Sequence, residues 1–311
     1  MKPLRIAIIG YGKIAEDEHL PSIAENPRFE LAATVGSRSP GIHGVPAFRR
    51  HQEMLDSLGD IDAVAICTPP GVRYDIARDC IDRGLHALLE KPPGVTLSEV
   101  DDLACRAEGR QVTLFAAWHS QHNPAVDAAA AALAGKAIKS MRIVWHEDVR
   151  RWHPGQQWIW EVGGFGVFDP GINALSIAAR IFPGSLFVRD AELIVPQNRQ
   201  MPIAARLRFA SSSGEGDLTA DFDWRETQAE HWTIEVETEE GERLLLTDGG
   251  ARLEREGAEP LQAQRNEYPR IYERFVDLID ERRSLVEVAP LRLVADAFLI
   301  GRRIVTDPFE D

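Results

Sequence analysis

A glycine-rich stretch near the amino terminus has the residue types needed to hold a pyrophosphate. Gly10-Tyr11-Gly12-Lys13-Ile14-Ala15 follows the short apolar run 4–9 and precedes a segment that can form a helix. The first glycine permits a tight turn, the second lets the backbone approach a phosphate, and the alanine lets the helix pack on the strand. The helix N-terminus adds N–H groups and a positive dipole end. The predicted cofactor contacts here are Gly10, Gly12, Lys13 and Ile14; the alternative is an ordinary glycine turn.

A hydroxyl and a guanidinium follow the second predicted strand, Phe29–Val35. The strand ends in Gly36-Ser37-Arg38-Ser39, where an NAD-binding unit usually has an acidic residue for the ribose hydroxyl. Ser37 and Arg38 instead suit a phosphate. The pattern therefore favours NADP, with NAD as a further acceptor, over the alternative of a solvated loop charge.

Tryptophans cluster in the middle of the chain among polar side chains. Four of the seven, Trp145, Trp152, Trp158 and Trp160, lie within sixteen residues and alternate with groups such as Glu147 and His153. Sugars present apolar C–H faces to aromatic rings and hydroxyls to charged groups, and an indole offers both a flat face and an N–H donor. The segment is therefore a candidate sugar site, with Trp152 and His153 the preferred contacts. The alternative is a piece of core or a subunit contact, and Trp232 could equally be sheet core.

The elements of the first half indicate how these groups are positioned. Apolar runs at 63–67, 86–89 and 112–117 alternate with helical segments, one of which, 96–108, begins with a Thr96–Glu99 capping box. This alternation predicts a doubly wound parallel sheet, a Rossmann domain over residues 1–121, with ligands at the carboxyl ends of its strands. The residues just past strand ends are predicted to share one edge: Gly10, Ser37, Thr68 with Pro69, Glu90 with Lys91, and His119.

The second half, 122–311, has strand-rich sequence with few helices. It predicts an α+β domain built on an open, mainly antiparallel sheet. Two closing helices are expected, at Tyr268–Arg282 and Leu291–Val305. An alternative left open is that the last one, 290–305, packs back on the first domain and makes that domain discontinuous.

Composition argues against several kinds of partner and location. A net charge of −14 over 311 residues disfavours nucleic acid and anionic membranes as partners. The three cysteines are dispersed, which suits a reducing compartment, and no signal peptide or apolar membrane span is evident. The expected location is the cytoplasm. His119 and His122 lack a matching carboxylate, so no metal site is expected.

The chain resembles the Gfo/Idh/MocA oxidoreductases. The resemblance spans the whole chain and rests on the glycine fingerprint, on Glu90-Lys91-Pro92 after the fourth strand, and on the open sheet. It implies that Lys91 lies beside the nicotinamide and the reacting carbinol. The family usually carries Asp-x-x-x-His, whereas this chain has Asp169-Pro170-Gly171-Ile172-Asn173. Asn173 cannot accept a proton at neutral pH, so the role of base passes to Asp169 or Lys91.

This departure resembles the sugar 1-dehydrogenase branch of the family, which acts on D-galactose and L-arabinose. The segment 147–160, Trp118-His119 and the segment 290–296 are also similar to that branch. The implied activity is NAD(P)-dependent oxidation of an aldose at C1 to the lactone, with a homo-oligomer formed through the second sheet. The implied substrate contacts are His119, Glu147, Trp152, His153, Asp169, Asn173 and Trp232. The alternatives are a family dehydrogenase for another sugar or cyclitol, and a non-catalytic sensor.

Overall fold

A computed structural model describes residues 2–37, 42–263 and 266–310. The chain divides into two compact units, one formed by Met1–His119 with Asn266–Val288 and the other by Ser120–Arg265 with Ala289–Asp311. The first boundary in the chain falls after His119. Among the described residues, no helix is long and apolar enough to cross a membrane.

The first unit is built on a six-stranded parallel sheet. Its strands in chain order are β1 (Leu4–Ile9), β2 (Phe29–Val35), β3 (Ala47–Phe48), β4 (Ala63–Ile66), β5 (His86–Glu90) and β6 (Leu114–Ala117). They lie in the order β3-β2-β1-β4-β5-β6, which is the dinucleotide-binding arrangement. The predicted Rossmann sheet is therefore confirmed.

Helices cover both faces of this sheet, which explains why its strands are continuously apolar. In β1, Ala7 and Ile9 face one core cluster, and Ile6 and Ile8 face the other. The helices are α1 (Leu20–Glu25), α2 (His51–Ser57), α3 (Pro70–Asp82), α4 (Leu97–Arg110) and, from the far end of the chain, α8 (Glu267–Asp280). The Thr96–Glu99 capping box is present at the start of α4, with both hydrogen bonds at 3.2 Å.

The second unit is built on a nine-stranded mixed sheet. Its strands are β7 (Ile138–His146), β8 (Leu186–Pro196), β9 (Ala204–Ser211), β10 (Gly214–Asp223), β11 (His231–Thr238), β12 (Arg243–Thr247), β13 (Arg252–Arg255), β14 (Leu261–Gln262) and β15 (Arg302–Thr306). Neighbouring strands are antiparallel except in the pairs β7–β10 and β8–β15. Its helices are α5 (Pro124–Leu133), α6 (Val149–Trp152), α7 (Phe168–Ile181) and α9 (Ala289–Ile300). The expectation of an open, mainly antiparallel sheet is confirmed.

The carboxyl-terminal segment differs from its prediction. The helix expected at Leu291–Val305 ends at Ile300, and the β-branched run that follows forms β15 beside β8. This helix, α9, packs against β8 and α7 of the second unit, so the suggestion that 290–305 joins the first domain is wrong. The helix that joins the first unit is α8, because Tyr272, Phe275 and their neighbours fill the core on the α1 face of the sheet.

Candidate functional site

A groove of about 480 Å³ lies at the carboxyl ends of β1, β2 and β4 in the first unit. Five of the residues that the sequence assigned to the cofactor line it: Gly10, Gly12, Ser37, Thr68 and Pro69. The groove also contains residues that sequence reasoning missed, including Tyr11, Cys67, Arg49, Arg50 and His51. Arg38 lies outside the described residues.

The two fingerprint glycines have different reasons to be glycine. Gly10 has φ of +91°, and a Cβ there would lie 2.6 Å from the backbone nitrogen of Thr68. A Cβ on Gly12 would have only the carbonyl oxygen of Gly10, at 4.0 Å, as a neighbour among the described residues. Gly10 therefore permits the turn against β4, whereas Gly12 keeps the space in the groove open.

The groove fits a dinucleotide in a second respect. The hydroxyl oxygen of Thr68 is buried and has no hydrogen-bond partner among the described residues. A buried hydroxyl without a partner is costly, and a ligand phosphate or amide would satisfy it. The helical segment after Gly12 opens with a π-helical turn, Ala15–His19, that runs into α1, and the first N–H groups of a helix lack intrahelical acceptors. The Lys13 side chain is exposed and paired with Asp17, so the backbone N–H groups of Lys13 and Ile14, and not this side chain, are what the turn offers to a phosphate.

Arginines reach the groove through β3, which pairs with the end of β2. The register places Phe48 beside Val35, so the next two residues, Arg49 and Arg50, lie near Ser37 along the groove wall. The guanidinium of Arg50 pairs with Glu53 at 3.0 Å. A two-residue strand has too few positions to show alternation, and the adjacent arginines were the only signal for this part of the wall.

Glu90 is buried at the carboxyl end of β5, with an exposed fraction of 5%. One carboxylate oxygen accepts a hydrogen bond from the Tyr268 hydroxyl at 2.7 Å and lies 3.0 Å from Nε2 of His19. The other accepts the backbone N–H of Lys91 at 3.0 Å. Burial opposes the charge, but these contacts with His19 and Tyr268, with the nearby His119, lower the pKa of Glu90 to about 2. The ionised carboxylate therefore holds the backbone at Lys91.

His19 and Tyr272 complete this network and were not found from the sequence. Nδ1 of His19 lies 2.8 Å from the Tyr272 hydroxyl. Burial opposes protonation, but Cys67, Tyr272 and Glu90 outweigh it and raise the pKa of His19 well above its ordinary value. His119, placed just after β6 as predicted, has its ring stacked on that of Tyr268 at 5.8 Å. These side chains form a polar core beneath the Lys91 segment.

In the second unit, one buried carboxylate orders two tryptophans. Glu147 follows β7 and accepts Nε1–H of Trp224 at 3.2 Å and Nε1–H of Trp232 at 2.9 Å. The ring of Trp152 lies 5.6 Å from that of Trp232, and its Nε1–H is donated to Glu230 at 2.8 Å. The structure thus brings Glu147, Trp152 and Trp232 together, and the missed member is Trp224.

Asp169 and Asn173 lie one turn apart at the start of α7, so their side chains share a helix face. Asp169 is in the first turn, where the helix dipole favours a carboxylate, and its side chain is 8% exposed. Nε2 of His153 lies 3.5 Å from a carboxylate oxygen of Asp169, and its ring packs 5.2 Å from that of Trp224. His153 therefore links Asp169 to the tryptophan cluster. No three His, Cys, Asp or Glu residues group as a metal site over 2–37, 42–263 and 266–310.

Comparison with known proteins decides the family. The Gfo/Idh/MocA model, an oxidoreductase family with an NAD-binding Rossmann fold, matches residues 4–118. Over 313 aligned residues, 100% of both chains, this chain is 42% identical to galactose 1-dehydrogenase from Pseudomonas fluorescens. The chain belongs to the Gfo/Idh/MocA family.

Two solved structures are similar to this chain over nearly all of its length. A D-galactose-1-dehydrogenase protein from Rhizobium etli is 48% identical, has a TM-score of 0.93, and is matched over 100% of this chain and 99% of that one. A 3-ketoreductase from Actinomadura kijaniata, solved with TDP-benzene and NADP, has a TM-score of 0.82 at 20% identity, over 98% of this chain and 100% of that one. The second likeness shows the fold alone.

Proposed function

We propose that this chain is an NAD(P)-dependent aldose 1-dehydrogenase that oxidises D-galactose, L-arabinose or both at C1 to the aldonolactone. The observation that carries the proposal is the 42% identity to galactose 1-dehydrogenase from Pseudomonas fluorescens over the full length of both chains. Two features support it: a groove that fits a dinucleotide in the first unit, and an ordered group of tryptophans and carboxylates in the second.

NADP is the proposed cofactor, with NAD as a second acceptor. The nicotinamide, when bound, supplies the site that receives hydride from C1. Ser37, Arg49 and Arg50 line the groove where the ribose of a dinucleotide lies in this fold. We propose that they, with Arg38, bind the 2′-phosphate.

Proton removal from the C1 hydroxyl is assigned to Lys91 and Asp169. A hemiacetal loses its O–H proton as hydride leaves C1, so a base must come within about 3 Å of that oxygen. Asn173 replaces the family's usual histidine and positions a hydroxyl. Lys91 polarises the oxygen and Asp169 accepts the proton; Lys91 as the base is the alternative.

The sugar ring is proposed to lie on the tryptophan group. Trp152 is 41% exposed and presents a flat apolar face beside Trp232. His153 and His119 are proposed to contact hydroxyls. Glu147 is proposed to be part of the sugar site. Its carboxylate oxygens hold the indoles of Trp224 and Trp232 in place.

The test uses absorbance to monitor reduction of the nicotinamide. It compares a panel of aldoses and cyclitols, each with NADP⁺ and with NAD⁺. L-Arabinopyranose matches D-galactopyranose from C1 to C4, so both should react, whereas D-glucose inverts the C4 hydroxyl and leaves a site group unpaired. That mismatch costs roughly 1–3 kcal/mol if the partner is buried. Cofactor reduction with a cyclitol but with no aldose would favour the alternative of a family dehydrogenase that acts on cyclitols. Cofactor binding without any reduction would favour a sensor.

A further inference from the structure

Arg73 is a buried arginine on α3 that donates hydrogen bonds to three backbone carbonyls. Arg73 is 2% exposed. Nη1 donates to the carbonyl oxygen of Glu90 at 2.5 Å and to that of Pro92, and Nη2 donates to that of Thr68. A guanidinium is costly to bury unless it is hydrogen-bonded, and its planar fork can serve several acceptors at once. The sequence alone did not single out this residue.

The three carbonyls belong to two segments at the carboxyl edge of the sheet. Thr68 follows β4 and lines the cofactor groove, and Glu90 and Pro92 flank Lys91 at the end of β5. Because β4 and β5 are parallel neighbours, their ends meet at this edge. One side chain therefore ties the groove wall to the Lys91 segment.

The backbone of Lys91 is held from both sides. Arg73 binds the carbonyls before and after it, and the buried carboxylate of Glu90 accepts its N–H at 3.0 Å. A lysine side chain is long and flexible, so the position of its ammonium group depends on the position of the backbone that carries it. Two buried charged groups, Arg73 and Glu90, fix the position of the Lys91 backbone.

We propose that Arg73 is a positioning residue for Lys91. It acts through the backbone around Lys91 and does not touch the substrate. This inference rests on the proposed function, in which Lys91 acts on the C1 oxygen. A misplacement of about 1 Å in such a group can cost about a hundredfold in rate, so loss of the Arg73 fork should lower kcat more than it raises KM for the sugar.

The test is a double-mutant cycle between Arg73 and Lys91. Arg73→Lys keeps the charge but cannot present a planar fork to both segments, and it should lower kcat about ten- to a hundredfold. In the Lys91→Ala background, the same substitution should change kcat by less than about threefold, because the group it positions is gone. Arg78→Lys is the matched control: Arg78 lies on the same helix, is 35% exposed and pairs with Asp75 and Asp79.

Hydrogen exchange of the enzyme without cofactor gives a readout independent of turnover. Arg73→Lys should speed exchange in peptides covering residues 67–72 and 90–95, with β1 unchanged, and Arg78→Lys should speed neither. Equal kcat losses from Arg73→Lys in both backgrounds, or faster exchange everywhere, would mean a general structural role and would overturn the inference. Full kcat in Lys91→Ala would overturn both this inference and the proposed role of Lys91, and the single variant alone would reveal it.

Discussion

The hydroxyl of Tyr268 donates a hydrogen bond to the carboxylate of Glu90 over 2.7 Å, although 178 residues separate them. Tyr268 lies on α8, which returns to the first unit after the chain has formed eight of the nine strands of the second sheet. The bond anchors the end of β5, where Lys91 follows. The position of the proposed catalytic lysine therefore depends on a helix from the far end of the chain.

This network predicts a loss of stability in acid. The pKa of Glu90 falls from an ordinary value of 4.5 to about 2 because, against the cost of burial, His19, His119 and Tyr268 favour the carboxylate. A depressed folded-state pKa gives stability that is complete above the unfolded value and is lost as pH falls through the folded one. Glu90 should therefore contribute to the free energy of unfolding above about pH 4.5, and this contribution should fade toward pH 2.

The measurement is the free energy of unfolding by urea between neutral and acid pH, for the wild type and for Glu90→Gln. The difference between the two should shrink as pH falls through the range 4.5 to 2. Glu108→Gln, at an exposed position on α4, is the control and should show no such dependence. A difference that stays constant with pH would contradict an ionised Glu90.

The proposed contacts to the 2′-phosphate predict a selective loss of NADP affinity. A charge-assisted contact to the 2′-phosphate contributes a few kcal/mol at most, so Arg38→Ala and Arg49→Ala should each raise KM for NADP about ten- to a hundredfold. KM for NAD, which lacks that phosphate, should change little. Steady-state kinetics with both cofactors provides the check, with Arg83→Ala, an exposed arginine that does not line the groove, as control. Equal increases in KM for NADP and for NAD would show that neither arginine binds the 2′-phosphate.

The proposed acid–base groups predict different kinetic losses. Lys91→Ala and Asp169→Ala should each lower kcat by at least about a hundredfold, the usual scale of acid–base catalysis, while the fold survives. Asn173→Ala should act mainly on KM for the sugar, because it positions a hydroxyl and moves no proton. The measurements are kcat, KM and melting temperature for all three variants. Near-normal kcat in Asp169→Ala would leave Lys91 as the base.

The Glu147 bridge predicts coupled effects on two tryptophans. Glu147→Gln keeps the shape but replaces one acceptor oxygen with an NH₂ group, so the Nε1–H of either Trp224 or Trp232 loses this acceptor. A buried donor without a partner costs about 1–3 kcal/mol, and we expect a lower melting temperature, altered tryptophan fluorescence and about a tenfold rise in KM for the sugar. Glu161→Gln, an exposed position, is the control. Unchanged fluorescence and KM would argue against an ordering role.

Local sequence was enough for the first unit's framework. Continuous apolar strands, the Gly10–Gly12 turn and the Thr96 capping box depend on neighbouring residues, so their types and spacing predicted the parallel sheet and the groove. The cluster of tryptophans between 145 and 160 likewise indicated where aromatic side chains gather. The five predicted residues meet in one groove because the strands that precede them are neighbours in the sheet. The alternation of strands and helices already implied that arrangement.

Contacts between distant segments were decided only by tertiary structure. The choice of α8 over α9 for the first unit depends on which apolar face complements the sheet, and both helices carry such a face. The partners of Glu90, Glu147 and Arg73 come from segments far along the chain or from backbone carbonyls, which leave no mark in local spacing. Buried polar groups must find partners wherever the fold brings them, and only the packed chain specifies those pairs.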